Sequence, residues 1–437
     1  MTSAYPSAAD EVVDICRDLI RIDTTNTGDL ATSVGERAAA EYVAGLLDEV
    51  GLEPTIVESV PGRANVITRF VGADSSRGGL LVHGHLDVVP ADPDEWSVHP
   101  LSGEIADGFL WGRGAVDMKD FDAMTLATVR QWRREGIVPP RDIVLAFFAD
   151  EEAGSRYGAH YVVENHSDLL AGCTDAIGEV GGFSVDAGND LRLYLIETAQ
   201  KGLDWLRITA KGTPGHGSMV HPDNAVTALC EAVTRLSAHE FPVVMTPTVR
   251  EFLERASEVL GIEFDPNDPE TAVAKLGPVS RIIGATLRNT ANPTRLDAGY
   301  KDNVIPSRAS ATIDCRSLPG RSEEFEEQLR AVLGPDIELD FNRQPGLETT
   351  FDGPLVDAMA GALRAIDPGA RPVPYMLSGG TDAKALDRLG IRCFGFAPLR
   401  LPADLDFASL FHGIDERVPL DGLRFGVDVL DRFFRNC

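Results

Sequence analysis

The segment GGLLVHGHLDVVP at residues 78–90 constrains this chain more than any other. Apolar and small residues run into His83, which indicates a short buried strand that ends in a polar loop. Side chains alternate along a strand, so His85 and Asp87 project to the same side at its end. A neutral imidazole is a good zinc ligand, and a carboxylate on its second nitrogen would fix the tautomer. The segment alone fits either a metal ligand with its support or a histidine in an ordinary turn.

Length and charge limit the classes of protein to consider. A chain of 437 residues exceeds one ordinary domain, so two are expected. The net charge of −28 argues against nucleic acid or an anionic membrane as a partner. No apolar run is long enough to cross a bilayer, and the acidic N-terminus lacks a signal pattern. The six scattered cysteines form no C-x-x-C pair, which fits a reducing compartment and predicts a cytoplasmic protein.

Helical spacing of apolar residues alternates with short apolar runs over the first 200 residues. This alternation predicts an α/β domain with a mixed, largely parallel sheet flanked by helices. Chemistry in such sheets lies beyond the C-terminal ends of the strands. His85, Glu151, Glu152 and Glu179 all follow predicted strands, so we expect them to meet at one edge of the sheet.

The pattern changes near Lys201, where strands of alternating polarity follow one another with two helices between them. This predicts a smaller α/β two-layer sandwich inserted at residues 200–343. The expected catalytic domain therefore has two parts, residues 1–199 and 344–437. Residues 240–299 have several prolines and polar clusters, and they carry no recognisable motif.

Five candidate metal ligands lie at predicted strand ends or in adjacent loops: His85, Asp117, Glu152, Glu179 and His412. Two histidines and three carboxylates are donors that zinc accepts. One aspartate has two oxygens and can bridge two ions, which leaves one histidine and one carboxylate for each. A two-metal site generates a bound hydroxide near neutral pH. The neighbouring Glu151 is not needed as a ligand and can take a proton from water and pass it to a leaving amine.

With these residues the sequence resembles the co-catalytic zinc amidohydrolases that include aminoacylase, acetylornithine deacetylase, succinyl-diaminopimelate desuccinylase and several di- and carboxypeptidases. The matching motifs occur in order and span nearly the whole chain, which makes the set highly specific. They are GHLDVVP, WxxxP, GRGAxDMK, DEExGS, EVGG, GxxGHGS, NVIP, DxRxxPG, SGGTDA and the late histidine at 412.

The resemblance implies a zinc-peptidase catalytic domain and an inserted lid or dimerisation domain. It assigns the five ligands above to two divalent ions, with Asp117 bridging. It implies zinc as the metal, although cobalt and manganese accept the same donors. Glu151 is implied as the general base and Asp87 as the support of His85. A cis peptide after Asp117 is also implied. Asp175 is a substitute for Glu179 that the short motif leaves open.

Substrate binding is implied for residues of three later motifs. A guanidinium binds a carboxylate through two parallel hydrogen bonds, and the resemblance places Arg316 at the carboxylate of the substrate. Such a local basic anchor is what an acidic protein would need. Asn303 of the NVIP motif belongs to the same group. In SGGTDA, Gly380 and Thr381 would let a substrate approach the backbone.

His216 lies in the turn TPGHGS, between two glycines that allow close approach of a ligand. An imidazole there can donate to a developing oxyanion. The resemblance implies that the inserted domain forms a homodimer and that His216 completes the active site of the partner. The alternative is a histidine in a surface turn of a monomer.

Three rival interpretations are weaker. A barrel amidohydrolase carries a His-x-His motif, which His83 and His85 imitate. It would also need more histidines at later strand ends than this chain has. The metallo-β-lactamase motif fails because Val88 replaces its last histidine. A metal-free relative acting as a binding or regulatory protein would not need the complete ligand set and Glu151.

We therefore expect a zinc-dependent hydrolase of the deacylase, carboxypeptidase or dipeptidase type. Its substrate would be an N-acyl amino acid or small peptide with a free carboxylate. Metal-bound hydroxide would attack the carbonyl while Glu151 moves the proton.

Overall fold

The computed structural model describes residues 5–437. No helix in this range is both long and apolar enough to cross a membrane. The strands, in chain order, are β1 (Thr55–Val60), β2 (Arg63–Phe70), β3 (Gly79–His85), β4 (Glu104–Ala106), β5 (Phe109–Trp111), β6 (Ile143–Phe148), β7 (Cys173–Gly178), β8 (Phe183–Gly188), β9 (Leu191–Gln200), β10 (Leu203–Lys211), β11 (Gly215–His216), β12 (Thr290–Ala298), β13 (Val304–Ile305), β14 (Arg308–Arg316), β15 (Ile337–Gln344), β16 (Leu347–Glu348), β17 (Ala370–Leu377), β18 (Arg392–Gly395) and β19 (Arg417–Pro419).

The α-helices of the same range alternate with these strands. They are α1 (Ala8–Arg21), α2 (Arg37–Asp48), α3 (Lys119–Glu135), α4 (Ala159–Asn165), α5 (Ala225–Ser237), α6 (Pro247–Leu260), α7 (Pro269–Ala274), α8 (Ser280–Gly284), α9 (Ser322–Leu333), α10 (Pro354–Ile366), α11 (Ala383–Leu386) and α12 (Leu420–Asn436).

The larger sheet has the strand order β1-β2-β6-β3-β7-β18-β9-β16, with β17 and β8 also paired to β9. Strands β6, β3, β7 and β18 run parallel, whereas β1, β2, β8 and β16 pair antiparallel with their neighbours. The expected α/β class with a mixed sheet flanked by helices is therefore confirmed, and the sheet is partly parallel. The parallel strands bring their carboxyl ends to one edge, where the candidate site lies.

Helices cover both faces of this sheet, which explains the unbroken apolar runs in the sequence. Every residue of β3 and β6 is buried. Leu80 and Val82 face the core that α1, α3 and α12 form, whereas Leu81 faces the smaller core beneath α4. The central strands are thus fixed from two sides, and the residues that follow them are held on a rigid base.

The smaller domain is a four-stranded antiparallel sheet in the order β12-β14-β10-β15, with α5 and α9 packed on one face. Leu206 and Ile208 of β10 are buried against the helices, while Trp205 on the opposite face is 44% exposed. One covered and one open face are typical of an antiparallel sheet. The inserted two-layer sandwich that the sequence predicted is present.

Helices α6 to α8 leave the smaller domain and pack against the larger one. α6 contacts β17, β9 and β8, and its residues Phe252 and Leu253 join the main core. The hydroxyl of Thr246 accepts the N–H of Val249 at the start of α6, and Gly261 ends the helix at φ 65°. The chain therefore enters the smaller domain twice. Residues 240–299, which carry no recognisable motif, form part of the wall beside the candidate site.

Two glycines mark the connections between the domains. A Cβ on Gly202 would lie 2.3 Å from Oγ of Ser317, and one on Gly346 would lie 2.8 Å from the carbonyl oxygen of Gln200. The Lys384 amine donates to the carbonyls that precede both glycines, at 2.8 and 2.9 Å. One side chain of the larger domain thus holds both connections.

Candidate active site

The first group of possible metal ligands lies at the ends of β3 and β7. Nε2 of His85 is 3.1 Å from Oδ1 of Asp117 and 3.5 Å from Oε2 of Glu179. All three residues are buried. Asp117 comes from the loop before α3, and the peptide bond after it is cis, as the resemblance implied. Donor atoms of the three residues lie within 4.8 Å of one another, close enough to hold one ion.

The second group shares Asp117 with the first. Nε2 of His412 is 3.3 Å from Oδ2 of Asp117 and 3.0 Å from Oε2 of Glu152. Here too the donor atoms lie within 4.8 Å of one another. Because the two oxygens of Asp117 face different groups, the carboxylate is placed to bridge two ions.

The charges in this cluster fit divalent cations. Burial and the charge of Asp117 raise the pKa of Glu152 to about 7, and burial raises the pKa of Glu179. Oε1 of Glu152 is buried and lacks a hydrogen-bond partner within residues 5–437. Buried carboxylates crowded in this way need a balancing positive charge. Two ions would supply it, and the nitrogen and oxygen donors suit zinc and its neighbours.

The protonated imidazoles of His85 and His412 supply part of this positive charge. Burial alone would lower the pKa of His85, but the charge of Glu179 and the hydrogen bond to Asp117 raise it well above its ordinary value. Hydrogen bonds to Asp117 and Glu152 raise the pKa of His412 to about 10. A metal ion must therefore displace protons from both rings, so metal affinity should rise with pH.

Glu151 lines a cavity of about 480 Å³ together with Asp117, Glu152, Glu179 and His412. Burial and the neighbouring charge of Glu179 raise the pKa of Glu151 well above its ordinary value. A carboxylate with a raised pKa beside the ligands can accept a proton and release it again. This position is where a general base would be needed.

Asp87 holds the site together in a way the sequence did not indicate. Its backbone carbonyl, not its carboxylate, lies within hydrogen-bond distance of Nδ1 of His85, at 3.0 Å. The carboxylate lies 3.6 Å from that nitrogen and instead accepts the backbone N–H groups of Glu151 and Glu152, at 3.0 and 3.1 Å. It also accepts the Asn26 amide at 2.8 Å.

Glu416 is a site residue that the sequence analysis missed. Its buried carboxylate accepts the backbone N–H of Val116 at 2.7 Å and that of Asp117 at 3.3 Å. It also pairs with Arg113 at 2.6 Å. The loop that presents Asp117 is thereby tied to the segment after His412. The only indication in the sequence is its place four residues after that histidine.

The candidate ligand His412 and two residues next to ligands, Asp150 and Val180, have left-handed backbone conformations, at φ 57°, 64° and 54°. Such conformations cost on the order of 1–3 kcal/mol for residues other than glycine and concentrate at functional sites.

Two alternative ligands lie elsewhere. Burial lowers the pKa of His83 to about 3, so it stays neutral, and Asp175 pairs with Arg141 and Arg392.

The expected substrate residues are divided between the domains. Gly380 lines the metal cavity, and the Thr381 hydroxyl accepts the Gln200 amide at 2.7 Å. Arg316 lies at the end of β14 and pairs with Asp314 through two bonds of 2.6 and 3.0 Å. It does not line the metal cavity.

His216 and Asn303 lie in the smaller domain, outside that cavity. They meet where β11 pairs with β13, and the N–H of Gly217 donates to the Asn303 carbonyl at 2.9 Å. The His216 ring is exposed, and its Nδ1 lies 2.8 Å from the Ser218 hydroxyl. Within one chain these two residues therefore do not contact the metal cluster.

Two ligand groups share one carboxylate at the edge of a mixed sheet, and a smaller sandwich domain is inserted beside them. This combination defines a class of metal-dependent hydrolases. The chain belongs to peptidase family M20/M25/M40, whose model matches residues 81–436. It is 27% identical to mouse aminoacylase-1 over 447 aligned positions, covering 98% of this chain and 96% of the relative. It is 26% identical to the N-fatty-acyl-amino acid synthase/hydrolase PM20D1 of Xenopus tropicalis, covering 98% and 86%.

The fold is also that of a solved member of the family. The metallo-carboxypeptidase Sso-CP2 of Sulfolobus solfataricus matches with a TM-score of 0.74 and 18% identity, over 98% of this chain and 99% of that one. The family assignment expected from the motifs is confirmed.

Proposed function

We propose that this protein hydrolyses an amide or peptide bond of an N-acyl amino acid or small peptide that carries a free carboxylate. The observation that supports this most strongly is the shared position of Asp117, with one histidine and one glutamate on each side of it. The relatives named above include an aminoacylase and a carboxypeptidase, whose reactions differ in the group attached to the scissile bond. A centre of two divalent ions could serve either reaction in this chain.

Two divalent ions, zinc by our proposal, would be held by His85 with Glu179 and by His412 with Glu152. When bound, they supply Lewis acidity that activates a water molecule and polarises the carbonyl of the substrate. A carboxylate oxygen of Glu151 takes the proton from that water and then delivers it to the nitrogen of the leaving amine. The buried position of Glu151 favours this role, because its raised pKa makes it a stronger base.

Arg316 is our proposed anchor for the carboxylate of the substrate. Its guanidinium already binds one carboxylate, that of Asp314, in the two-bond geometry that a substrate would adopt. Because Arg316 belongs to the smaller domain, substrate contact requires that domain to approach the metal cavity. We place the hinge for this movement of the smaller domain at the close-packed glycines 202 and 346, which lie in the two connections between the domains. Asn303, Gly380 and Thr381 would complete the substrate site.

We further propose a homodimer in which His216 reaches the active site of the partner. Its ring is exposed on the smaller domain, where Nδ1 lies within hydrogen-bond distance of Ser218. Exposed apolar residues occur on the same domain, with Leu296 63% and Tyr300 82% accessible. Such residues suit burial in an interface. A reducing compartment, the cytoplasm by our proposal, suits the six free thiols.

A hydrolysis screen tests the proposed activity directly. The zinc-loaded protein should release the amino acid from at least one member of a panel of N-acyl amino acids and dipeptides. The Glu151→Gln variant should retain its metal and lose about 10²–10⁴-fold in kcat, because an amide cannot accept the proton. Turnover of no member of the panel by the wild type would contradict the proposal, as would activity of the variant within a few-fold of wild type.

A further inference from the structure

The segment at residues 200–202 joins the two domains and also contacts the loop that lines the metal cavity. It leads from β9 of the larger sheet into β10 of the smaller one. The N–H of Lys201 donates to the carbonyl of Leu377 at 3.0 Å, directly before the 378–381 loop. Gly380 of that loop lines the metal cavity. This connection between the domains is therefore attached to the edge of the candidate active site.

Gln200 attaches the same connection to the 378–381 loop a second time. Its side-chain amide donates to the Thr381 hydroxyl at 2.7 Å, and its side-chain oxygen accepts the N–H of Thr381 at 3.1 Å. Both residues are buried, so water does not compete for these bonds. The position of the loop is therefore tied to the position of residue 200.

Lys384 provides a further attachment and extends it to the other connection. It lies on α11, shortly after the loop, and a Cβ on Gly380 would lie 2.4 Å from its Cε. Its buried amine donates to the carbonyls of Lys201 and Pro345, one in each connection, at 2.8 and 2.9 Å. The side chain therefore runs from the 378–381 loop to both connections between the domains.

The other side of the connection at residues 200–202 leads to the proposed anchor of the substrate carboxylate. The N–H of Gly202 donates at 2.8 Å to the carbonyl of Ser317, which directly follows Arg316. The Lys201 amine donates at 3.0 and 2.8 Å to two carbonyls of residues 285–288, where the chain passes from α8 back to the smaller domain. The connection thus lies between Arg316 and the loop of the metal cavity.

The two lysine amines at these connections are buried without an acidic partner. Lys201 and Lys384 are both buried, and neither forms an ion pair with a carboxylate of residues 5–437. Because burial disfavours the charged form, the pKa of Lys384 falls to about 8 and that of Lys201 to about 7. An apolar side chain could fill either space without this penalty. It could not replace the bonds that hold the carbonyls of the connections.

We propose that Lys384 is a positioning residue that couples the 378–381 loop to the closure of the smaller domain. This inference rests on the proposed function, in which Arg316 reaches the metal cavity when that domain moves. Lys384 does not contact the substrate. It holds both connections in the arrangement that lets Arg316 and the loop bind the substrate at the same time. Without its amine the two connections move independently, and Arg316 is no longer brought to the substrate carboxylate.

Discrimination between a carboxylate and an amide tests this coupling on the metal-loaded protein. The probes are N-acetyl-L-leucine and glycyl-L-leucine, each compared with its C-terminal amide. Lys384→Met keeps most of the side chain and removes the amine. It should lower kcat/KM for the carboxylate probes by about tenfold or more, as the loss of Arg316 itself would. The amide probes should change by less than about twofold. Equal losses on both kinds of probe would overturn the proposal, because they would indicate a structural role alone.

A double variant shows whether Lys384 acts through Arg316. When Arg316→Ala is already present, adding Lys384→Met should lower kcat/KM for the carboxylate probes by less than about twofold, because the group that it positions is absent. Losses that multiply in the double variant would overturn the proposal. If Arg316→Ala alone leaves the discrimination unchanged, the proposed substrate anchor is wrong. If only Lys384→Met leaves it unchanged, the coupling alone is wrong.

Hydrogen exchange tests the hinge without any substrate. The backbone N–H groups of Lys201 and Gly202 should exchange at least about tenfold faster in Lys384→Met, because the connection opens more readily without the amine. Gln200→Leu breaks the other side-chain bonds to the loop and should act in the same direction, so the test does not depend on one variant. Unchanged exchange in both variants would overturn the proposal.

The matched control for both measurements is Arg235→Met. It also removes bonds from one side chain to two carbonyls, those of Val332 and Leu333, but these lie inside the smaller domain. It should alter neither the exchange at the hinge nor the discrimination between carboxylate and amide. If no N-acyl amino acid or dipeptide is hydrolysed by the wild type, the proposed function is wrong, whereas unchanged exchange contradicts the coupling alone.

Discussion

The carboxylate of Asp87 accepts a hydrogen bond from the backbone N–H of Glu151 across 3.0 Å. This bond joins the segment after β3 to the segment after β6. The carbonyl of the same aspartate lies 3.0 Å from Nδ1 of His85. One residue therefore fixes both a metal ligand and the proposed base, so their relative position does not depend on the ions.

Asp87→Asn should lower kcat by about 10–100-fold, because residues that orient metal ligands typically have effects of that size. The new NH₂ group must face either the Glu151 or the Glu152 N–H, which places a donor against a donor. Steady-state kinetics at saturating zinc give the measurement. Asp175→Asn is the control, because it makes the same change in a carboxylate that pairs with Arg141 and Arg392, away from the metal ligands. Equal kcat values for Asp87→Asn and wild type would contradict this role.

Glu416→Gln should destabilise the protein by about 3 kcal/mol even without metal, because it removes the charge from a buried ion pair with Arg113. Denaturant unfolding in the presence of a chelator gives the measurement. The matched control is Glu338→Gln, which weakens an exposed pair with Lys211 and should cost less than about 1 kcal/mol. If both substitutions cost the same, Glu416 does not hold the loop before Asp117.

Arg316→Ala should reduce kcat/KM for substrates with a free carboxylate by about 10–100-fold, since charged hydrogen bonds contribute about 1.5–3 kcal/mol. Analogues in which an amide replaces that carboxylate should be much less affected. Arg308→Ala removes an exposed arginine from the other end of the same strand and serves as the control. Equal losses on carboxylate and amide substrates would show that Arg316 acts on structure alone.

Mixing two inactive variants tests the shared active site. Chains with His216→Ala and chains with Glu151→Gln should regain activity together, because one site of each mixed dimer then has both residues intact. With random exchange at equal amounts, about a quarter of the wild-type activity is expected. The control mixes His216→Ala with the double variant His216→Ala/Glu151→Gln, which cannot form an intact site. No recovery despite proven subunit exchange would contradict the proposal.

The sequence predicted those features that follow from strand periodicity and motif order. His85, Glu152 and Glu179 were placed together because parallel strands end at one edge, and the structure brings them together there. Asp117 and His412 came from loops, where only the motifs indicated a position.

Features that depend on distant contacts were not predictable in this way. The bond from Asp87 to Glu151 and the pair between Glu416 and Arg113 join residues 64 and 303 positions apart. The periodicity of apolar residues along the sequence does not predict such contacts. Helix α6 was not predicted for a different reason. The prolines and polar clusters of residues 240–299 resemble a loop until Thr246 and Gly261 are recognised as the caps of the helix.

The most direct test of the account is the metal content of the purified chain. Protein stripped with a chelator, reconstituted with excess zinc and desalted should contain two ions per chain by elemental analysis. Asp117→Asn should hold fewer and lose activity, because the amide nitrogen cannot ligate the second ion. One ion per wild-type chain, together with unchanged activity in Asp117→Asn, would contradict a centre bridged by Asp117.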